Sequence, residues 1–249
     1  MFHTKPSSNP RAIRLFCIPH AGAGPSAFRG WVQELRPEIE AILIQLPGRE
    51  GRFAEPAYAA MEPLVRDLAD AVIPFLEGEQ GFAFFGNSLG ALIAFETLHE
   101  IKRRTGREAA HLFVSASNAP HMPSPLPPMA GLADQDLIRE VCSRYDGIPA
   151  PLLADEEFLA AVLPTLRADI QVLETYSRRA PQPLDCPITA IGGERDKTVP
   201  LGHVDGWRDQ TRGCFSLLLL DEEHLYLQSS RQRLTASIRE VLSNASCAL

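Results

Sequence analysis

Ser88 stands in Gly86-Asn87-Ser88-Leu89-Gly90, with the apolar run Phe82-Ala83-Phe84-Phe85 before it and the helical pattern of Leu89 to Glu96 after it. The run reads as a buried strand ending at Gly86. In that setting Gly-x-Ser-x-Gly predicts a nucleophile elbow: a strand-to-helix turn so sharp that the serine backbone is strained and its hydroxyl points off the sheet. Glycine suits both flanking positions, because side chains there would collide as strand and helix pass. A bare Gly-x-Ser-x-Gly recurs by chance, so the strand and the helix carry the reading. The bland alternative is a Gly/Ser turn around a buried serine.

A serine hydroxyl is a weak nucleophile at neutral pH. It needs a base, and the base needs an orienting acid. Elbow sites order these along the chain as serine, acid, histidine. The histidines after Ser88 are His99, His111, His121, His203 and His224. His224 alone falls in the loop after the last apolar strand pattern, so it is the expected base. His203 is second, on a predicted helix. The acid is expected to leave the preceding strand, in Gly192-Gly193-Glu194-Arg195-Asp196-Lys197-Thr198-Val199-Pro200. Asp196 is the choice, just past the Gly-Gly turn. Its alternative role is a turn residue capping the next element. Glu194 is a weaker acid candidate, and Asp221 and Glu223 flank the histidine. An oxyanion needs preorganised N–H donors. The backbone N–H of Leu89 at the helix start and of Ala21 in the Gly-rich loop after the first strand are the expected pair. His20 reads as a brace for that loop.

These residues need a scaffold. Strand patterns at 13–18, 41–45, 82–86, 112–116, 187–193 and 215–220 alternate with helical patterns at 26–35, 60–77, 89–104, 201–209 and 231–242. That alternation predicts an α/β fold with a mainly parallel sheet of about six to seven strands flanked by helices. It breaks at a proline-rich stretch over 121–128, and residues 133–178 then show only helical patterns. Residues 120–180 therefore read as a helical lid inserted within a single 1–249 domain.

Composition excludes several classes. Hydrophobic residues at 45% and charged residues at 22% suit an ordinary globular core. A net charge of −7 argues against a general nucleic-acid or membrane-surface protein. The first residues carry no apolar signal core and no run approaches spanning length, so a cytoplasmic protein is expected. Five cysteines (Cys17, Cys142, Cys186, Cys214 and Cys247) form no Cys-x-x-Cys, which indicates neither a metal site nor a redox pair. Cys17 and Cys214 sit in apolar runs and are expected in the core.

Pro19-His20-Ala21-Gly22, Gln45-Leu46-Pro47-Gly48-Arg49, the elbow, Leu166-Arg167-Ala168-Asp169 with Glu174-Thr175-Tyr176, and the Asp196 and His224 loops succeed one another over nearly the whole chain. On these residues the sequence resembles the type II thioesterases, stand-alone α/β-hydrolase enzymes that accompany polyketide and nonribosomal peptide synthases. The Leu-Arg-Ala-Asp run separates that family from generic esterases better than the elbow does. The resemblance implies hydrolysis of acyl groups from the phosphopantetheine arm of acyl or peptidyl carrier-protein domains. It implies a monomer without a cofactor of its own, and a lid that shapes the acyl pocket. With only twelve residues before the first strand pattern, the antiparallel edge strand of larger relatives is expected to be missing.

Two positions depart from the family: Asn87, where histidine is usual, and Glu223, where glycine is usual. An anion beside His224 would favour its protonated form. Lys102, Arg103, Arg104 and Arg107 form one candidate docking cluster for acidic carrier proteins, and Arg178 with Arg179 another. Solvated helix ends are the alternative for both. Two other functions stay open: a small-molecule carboxylesterase or acyltransferase with the same residues, and an inactive scaffold or binding protein.

Overall fold

Four strands of this chain are buried on both faces, and such strands need layers above and below. The structure, a computed structural model, describes residues 12–76, 78, 80–145, 153–177 and 182–246. Arg178, Arg179 and Cys247 lie outside the described residues. The strands are β1 (Ile13–Ile18), β2 (Ile39–Leu43), β3 (Phe82–Asn87), β4 (His111–Ser115), β5 (Ile188–Gly193) and β6 (Phe215–Leu220). They form one sheet in the order β2-β1-β3-β4-β5-β6, with every pair parallel.

Alternation along each strand divides the core. Phe16 and Phe84 face a layer built from α2 (Met61–Val72) and α3 (Leu89–Thr105). Leu15, Cys17 and Phe85 face the opposite layer, built from α1 (Trp31–Leu35) and α7 (Arg231–Ser246). The short α6 (Leu201–Asp205) contributes Val204 to the first layer. Between β4 and β5 the chain makes α4 (Asp134–Tyr145) and α5 (Glu156–Thr175). These two helices share a small core of their own, with Met129, Leu137, Val141, Leu163 and Ile170.

Three local readings shift. The second strand starts at Ile39 rather than residue 41. The helix expected over 26–35 is a 3-10 turn, Pro25–Phe28, and a separate α1, because Gly30 at φ +88° interrupts it. Cys214 is exposed, because β6 is the sheet edge and is only partly covered. Cys17 is buried as expected, and burial pushes its thiol pKa up.

β1 leads to β2 on one side and its neighbour β3 leads to β4 on the other, so the connections leaving these adjacent strands run in opposite directions. Ligands of parallel sheets bind beyond the strand C-termini at such a switch point. The loop after β1 and the elbow after β3 both end there. Among the described residues no helix is long and apolar enough to cross a membrane.

Candidate functional site

Steric exclusion builds the elbow. A Cβ on Gly86 would fall on the Gly90 backbone, and a Cβ on Gly90 would fall on the carbonyls of Ile18 and Pro19. Only glycine lets β1, β3 and α3 pass this closely. Ser88 is forced to φ +54° and ψ −117°, a region that costs an L-residue about 1–3 kcal/mol. The strained serine is held by its own N–H, which donates to the Ser115 carbonyl at 2.7 Å.

His224 meets the serine from the loop after β6. Its Nε2 lies 3.1 Å from Ser88 Oγ. Its Nδ1 lies 2.7 Å from Asp196 Oδ2. A carboxylate only accepts, so Nδ1 carries the proton and Nε2 presents a lone pair to the serine hydroxyl. Asp196 Oδ1 accepts from Thr198 N at 2.8 Å, Thr198 Oγ1 at 2.7 Å and Val199 N at 3.2 Å. Burial opposes ionisation of Asp196, but the hydrogen bonds from His224 and Thr198 outweigh it and hold the carboxyl below its ordinary value. Gly193 lets the two loops touch: a Cβ there would stand 2.5 Å from the Glu222 carbonyl and 2.6 Å from that of Glu223.

The competing residues go elsewhere. Glu194 is exposed, and its N–H donates to the Leu220 carbonyl. His203 Nδ1 pairs with Asn118 Oδ1 at 3.0 Å. Asp221 pairs with Arg195 at 2.8 Å. Glu223 is exposed, where water and salt screen its charge from the imidazole. His20 is half-buried beside Asn87, its ring facing the interior. Burial, and then the charge of His224, lower its pKa to about 4, so it is neutral at pH 7.

Leu89 is the first residue of α3, where a helix leaves N–H groups without internal partners. Ala21 lines the cavity that also holds Ser88 and His224. Ala21, in the loop after β1, thus shares a cavity wall with Ser88, and Leu89 follows the serine at the start of α3.

Several residues at the site carry no signal in a single sequence. Thr198 also touches His224, Oγ1 to Nδ1 at 3.0 Å. Beneath the elbow, Asn87 Nδ2 donates to Ser115 Oγ at 3.1 Å, Ser115 Oγ to Tyr226 Oη at 2.8 Å, and Tyr226 Oη to the Ile191 carbonyl at 2.9 Å. Tyr145, at the end of α4, lies against His224 with ring centroids 4.9 Å apart.

Two cavities meet at Ser88. One, of about 280 Å³, is walled by the apolar faces of α4 and α5, including Val141, Val162 and Leu166. The other, of about 480 Å³, runs under the 116–128 loop and reaches Glu174 and Tyr176. Ser88, His224, Tyr145, Met129, Ile170 and Leu173 line both. A reacting carbonyl at Ser88 could therefore extend a substituent into each.

The first docking cluster is neither free nor well placed. Lys102 pairs with Glu108 at 2.6 Å and with Asp185, Arg103 with Glu100 at 2.6 Å, and Arg104 with Asp70 at 2.6 Å. Arg107 donates to the carbonyls of Gly78 and Gln80. The cluster ends α3, roughly 25 Å from Ser88 along a 17-residue helix.

A thioesterase-domain family model matches residues 13–243. The gramicidin S biosynthesis protein GrsT of Aneurinibacillus migulanus is 39% identical over 219 residues, 88% of this chain and 84% of that one. Thioesterase PikA5 of Streptomyces venezuelae is 38% identical over 241 residues, 97% of this chain and 84% of that one. The solved structure of RedJ, a thioesterase from the prodiginine biosynthetic pathway of Streptomyces coelicolor, aligns with a TM-score of 0.86. That alignment has 36% identity and covers 96% of this chain and 89% of the other.

Proposed function

The chain belongs to the thioesterase family, and on that premise we propose that it removes acyl groups from the phosphopantetheine arm of acyl or peptidyl carrier-protein domains, clearing blocked positions on a polyketide or nonribosomal peptide synthase. It is a thioester hydrolase with the α/β-hydrolase fold. The observation that carries the proposal is the pair of cavities meeting at Ser88. The apolar one suits an acyl chain, and the loop-lined one suits a long thiol arm. The names of GrsT, PikA5 and RedJ, all tied to biosynthesis or to thioesterase activity, support the partner class.

In this reading Ser88 Oγ attacks the thioester carbonyl while His224 Nε2 takes its proton. Asp196 holds the Nδ1–H tautomer and stabilises the imidazolium. The N–H groups of Ala21 and Leu89 receive the oxyanion. Collapse of the intermediate breaks the C–S bond, and His224 returns its proton to the departing thiolate. A water, deprotonated by His224, then attacks the acyl-serine and releases the acid. The chain's own side chains and backbone N–H groups, with water, supply each step without a cofactor. Residues 120–180 act as a lid within one 1–249 domain, and the enzyme works as a cytoplasmic monomer beside its synthase.

The test compares release of a labelled acyl group from a holo-carrier protein with release from the same acyl group on N-acetylcysteamine, with Ser88→Ala as control. Serine-dependent release at least about tenfold faster in kcat/KM from the carrier protein is expected, a difference of about 1.4 kcal/mol in transition-state binding. Release confined to the small thiol or to simple esters would move the chain to the esterase reading.

A further inference from the structure

Three stretches that carry the family resemblance, 19–22, 45–49 and 166–169, converge on one buried ion pair. Arg49 Nη1 lies 2.6 Å from Asp169 Oδ2, and Arg49 Nη2 lies 2.9 Å from Asp169 Oδ1. Arg49 is 5% exposed and Asp169 1%. Burying two charges is costly, and a buried pair adds little net stability over apolar residues of the same size. Its other contacts therefore matter more than its strength. Asp169 Oδ2 also accepts the backbone N–H of Gly22 at 2.7 Å. Arg49 Nη1 also donates to the Ala23 carbonyl at 3.2 Å, and Arg49 Nε to the Pro47 carbonyl at 3.2 Å.

Gly22 and Ala23 come directly after Ala21. Gly22 has φ +75°, a conformation a free loop has little reason to keep, and Leu166 Cδ1 of α5 stands 3.1 Å from where its Cβ would be. The pair thus grips the loop on one N–H and one carbonyl, just past the N–H that must point at the oxyanion. Both atoms of the grip are charge-assisted, the stronger kind of hydrogen bond. Asp169 comes from α5, in the inserted segment, and Arg49 from the loop after β2.

We propose that Asp169 and Arg49 are positioning residues for the oxyanion hole: together they set the 21–23 backbone so that the Ala21 N–H faces the developing oxyanion. This rests on the reading of Ser88 as nucleophile and Ala21 as oxyanion donor. The pair touches neither substrate nor serine. The inserted helix thereby contributes to the chemistry as well as to the shape of the pocket.

The decisive variant is the double change Arg49→Met with Asp169→Leu, which removes both charges and leaves no buried ion unpaired. Asp169→Asn is the single-site companion. Thr165→Val is the control for seating of α5: Thr165 Oγ1 donates to the Gly48 carbonyl at 2.6 Å, in the loop after β2 rather than the loop after β1. Each is assayed for kcat and KM, for thermal unfolding, and for inhibition by an acyl trifluoromethyl ketone. The ketone takes the Ser88 oxygen onto its carbonyl carbon, the serine proton passes to His224, and the ketone oxygen becomes the anion in the hole.

The expected result is a cooperatively folded double variant whose kcat falls about 10²-fold, the usual cost of one oxyanion donor. Ketone affinity should fall by a matching factor, with KM and the pH midpoints of the rate little changed. Thr165→Val should keep near wild-type kcat. A folded double variant with kcat and ketone affinity close to wild type overturns the inference. So does loss of kcat with undiminished ketone affinity, or an equal loss in Thr165→Val. A wild-type enzyme that forms no Ser88-dependent ketone adduct overturns the nucleophile reading and this inference with it. A wild type that forms the adduct, beside variants that match it, overturns this inference alone.

Discussion

The sheet side of the active cleft and the inserted side that covers it are built on different principles. On the sheet side, Ser88, Asp196 and His224 come after β3, β5 and β6, at the C-terminal ends of parallel strands in one sheet. Backbone packs on backbone at Gly86, Gly90 and Gly193, so position is decided by what cannot fit. On the inserted side, α4 and α5 share a small core with Met129, α5 sends Val172 into the main core, and individual polar side chains make further links. Arg49 meets Asp169, Thr165 meets Gly48, and Tyr176 Oη donates to Glu96 at 2.6 Å. Steric exclusion leaves few alternatives. A cover whose cavity-lining residues lie apart from these links can vary that lining without disturbing the nucleophile. Reactivity should therefore depend mainly on the first region, with Asp169 of α5 its one inserted-side support, and chain-length preference on the second.

The sharpest way to break that division is at the nucleophile. Ser88→Ala and His224→Ala should each lower turnover roughly 10⁵–10⁶-fold with the thermal transition unchanged, because members of such a set fail together. Steady-state thioester hydrolysis measures it, and near-normal rate in His224→Ala would move the base to His203. Asp196→Asn should cost about 10⁴-fold in kcat through loss of the correct imidazole tautomer. If Glu194→Gln proved the more damaging change, the acid would be reassigned.

The sheet also carries a pH signature separate from its chemistry. Burial lowers the His111 pKa from 6.5 to about 4, with Nε2 placed 2.8 Å from Thr189 Oγ1. Below pH 6.5 the unfolded chain takes up a proton that the native state refuses until about pH 4. Stability therefore falls as pH drops through that window, by roughly 3 kcal/mol for this group. His111→Gln should flatten the acid limb in urea unfolding at neutral pH and at about pH 4.5. An unchanged slope would assign the loss to other groups.

The smallest effect belongs to the cover. Leu173 is half-buried and lines both cavities. Leu173→Ala should shift preference toward longer acyl chains by about fourfold in kcat/KM per methylene newly accommodated. Turnover of short chains should stay close to wild type. An equal loss across all chain lengths would show that the cover also governs reactivity at this position.

Short-range rules made much of this protein legible from its sequence. Period-two and period-3.6 patterns located the alternating elements, and the two glycines around Ser88 announced the elbow. Chain order and loop position favoured His224 and Asp196, with Glu194 the weaker acid, and in the structure His224 lies between Ser88 and Asp196. The inserted helices were visible as a break in alternation. Tertiary structure alone decided the rest. It joined Arg49 to Asp169 across 120 residues of chain, placed Ser115 and Tyr226 beneath Asn87, and paired Lys102 with Asp185 and Arg104 with Asp70. It also left Cys214 on an open sheet edge despite its apolar neighbours. The physical reason is that propensity and periodicity act over one or two turns of backbone. A buried charge, by contrast, is satisfied by whatever partner the folded chain brings within about 3 Å, and no local pattern names that partner.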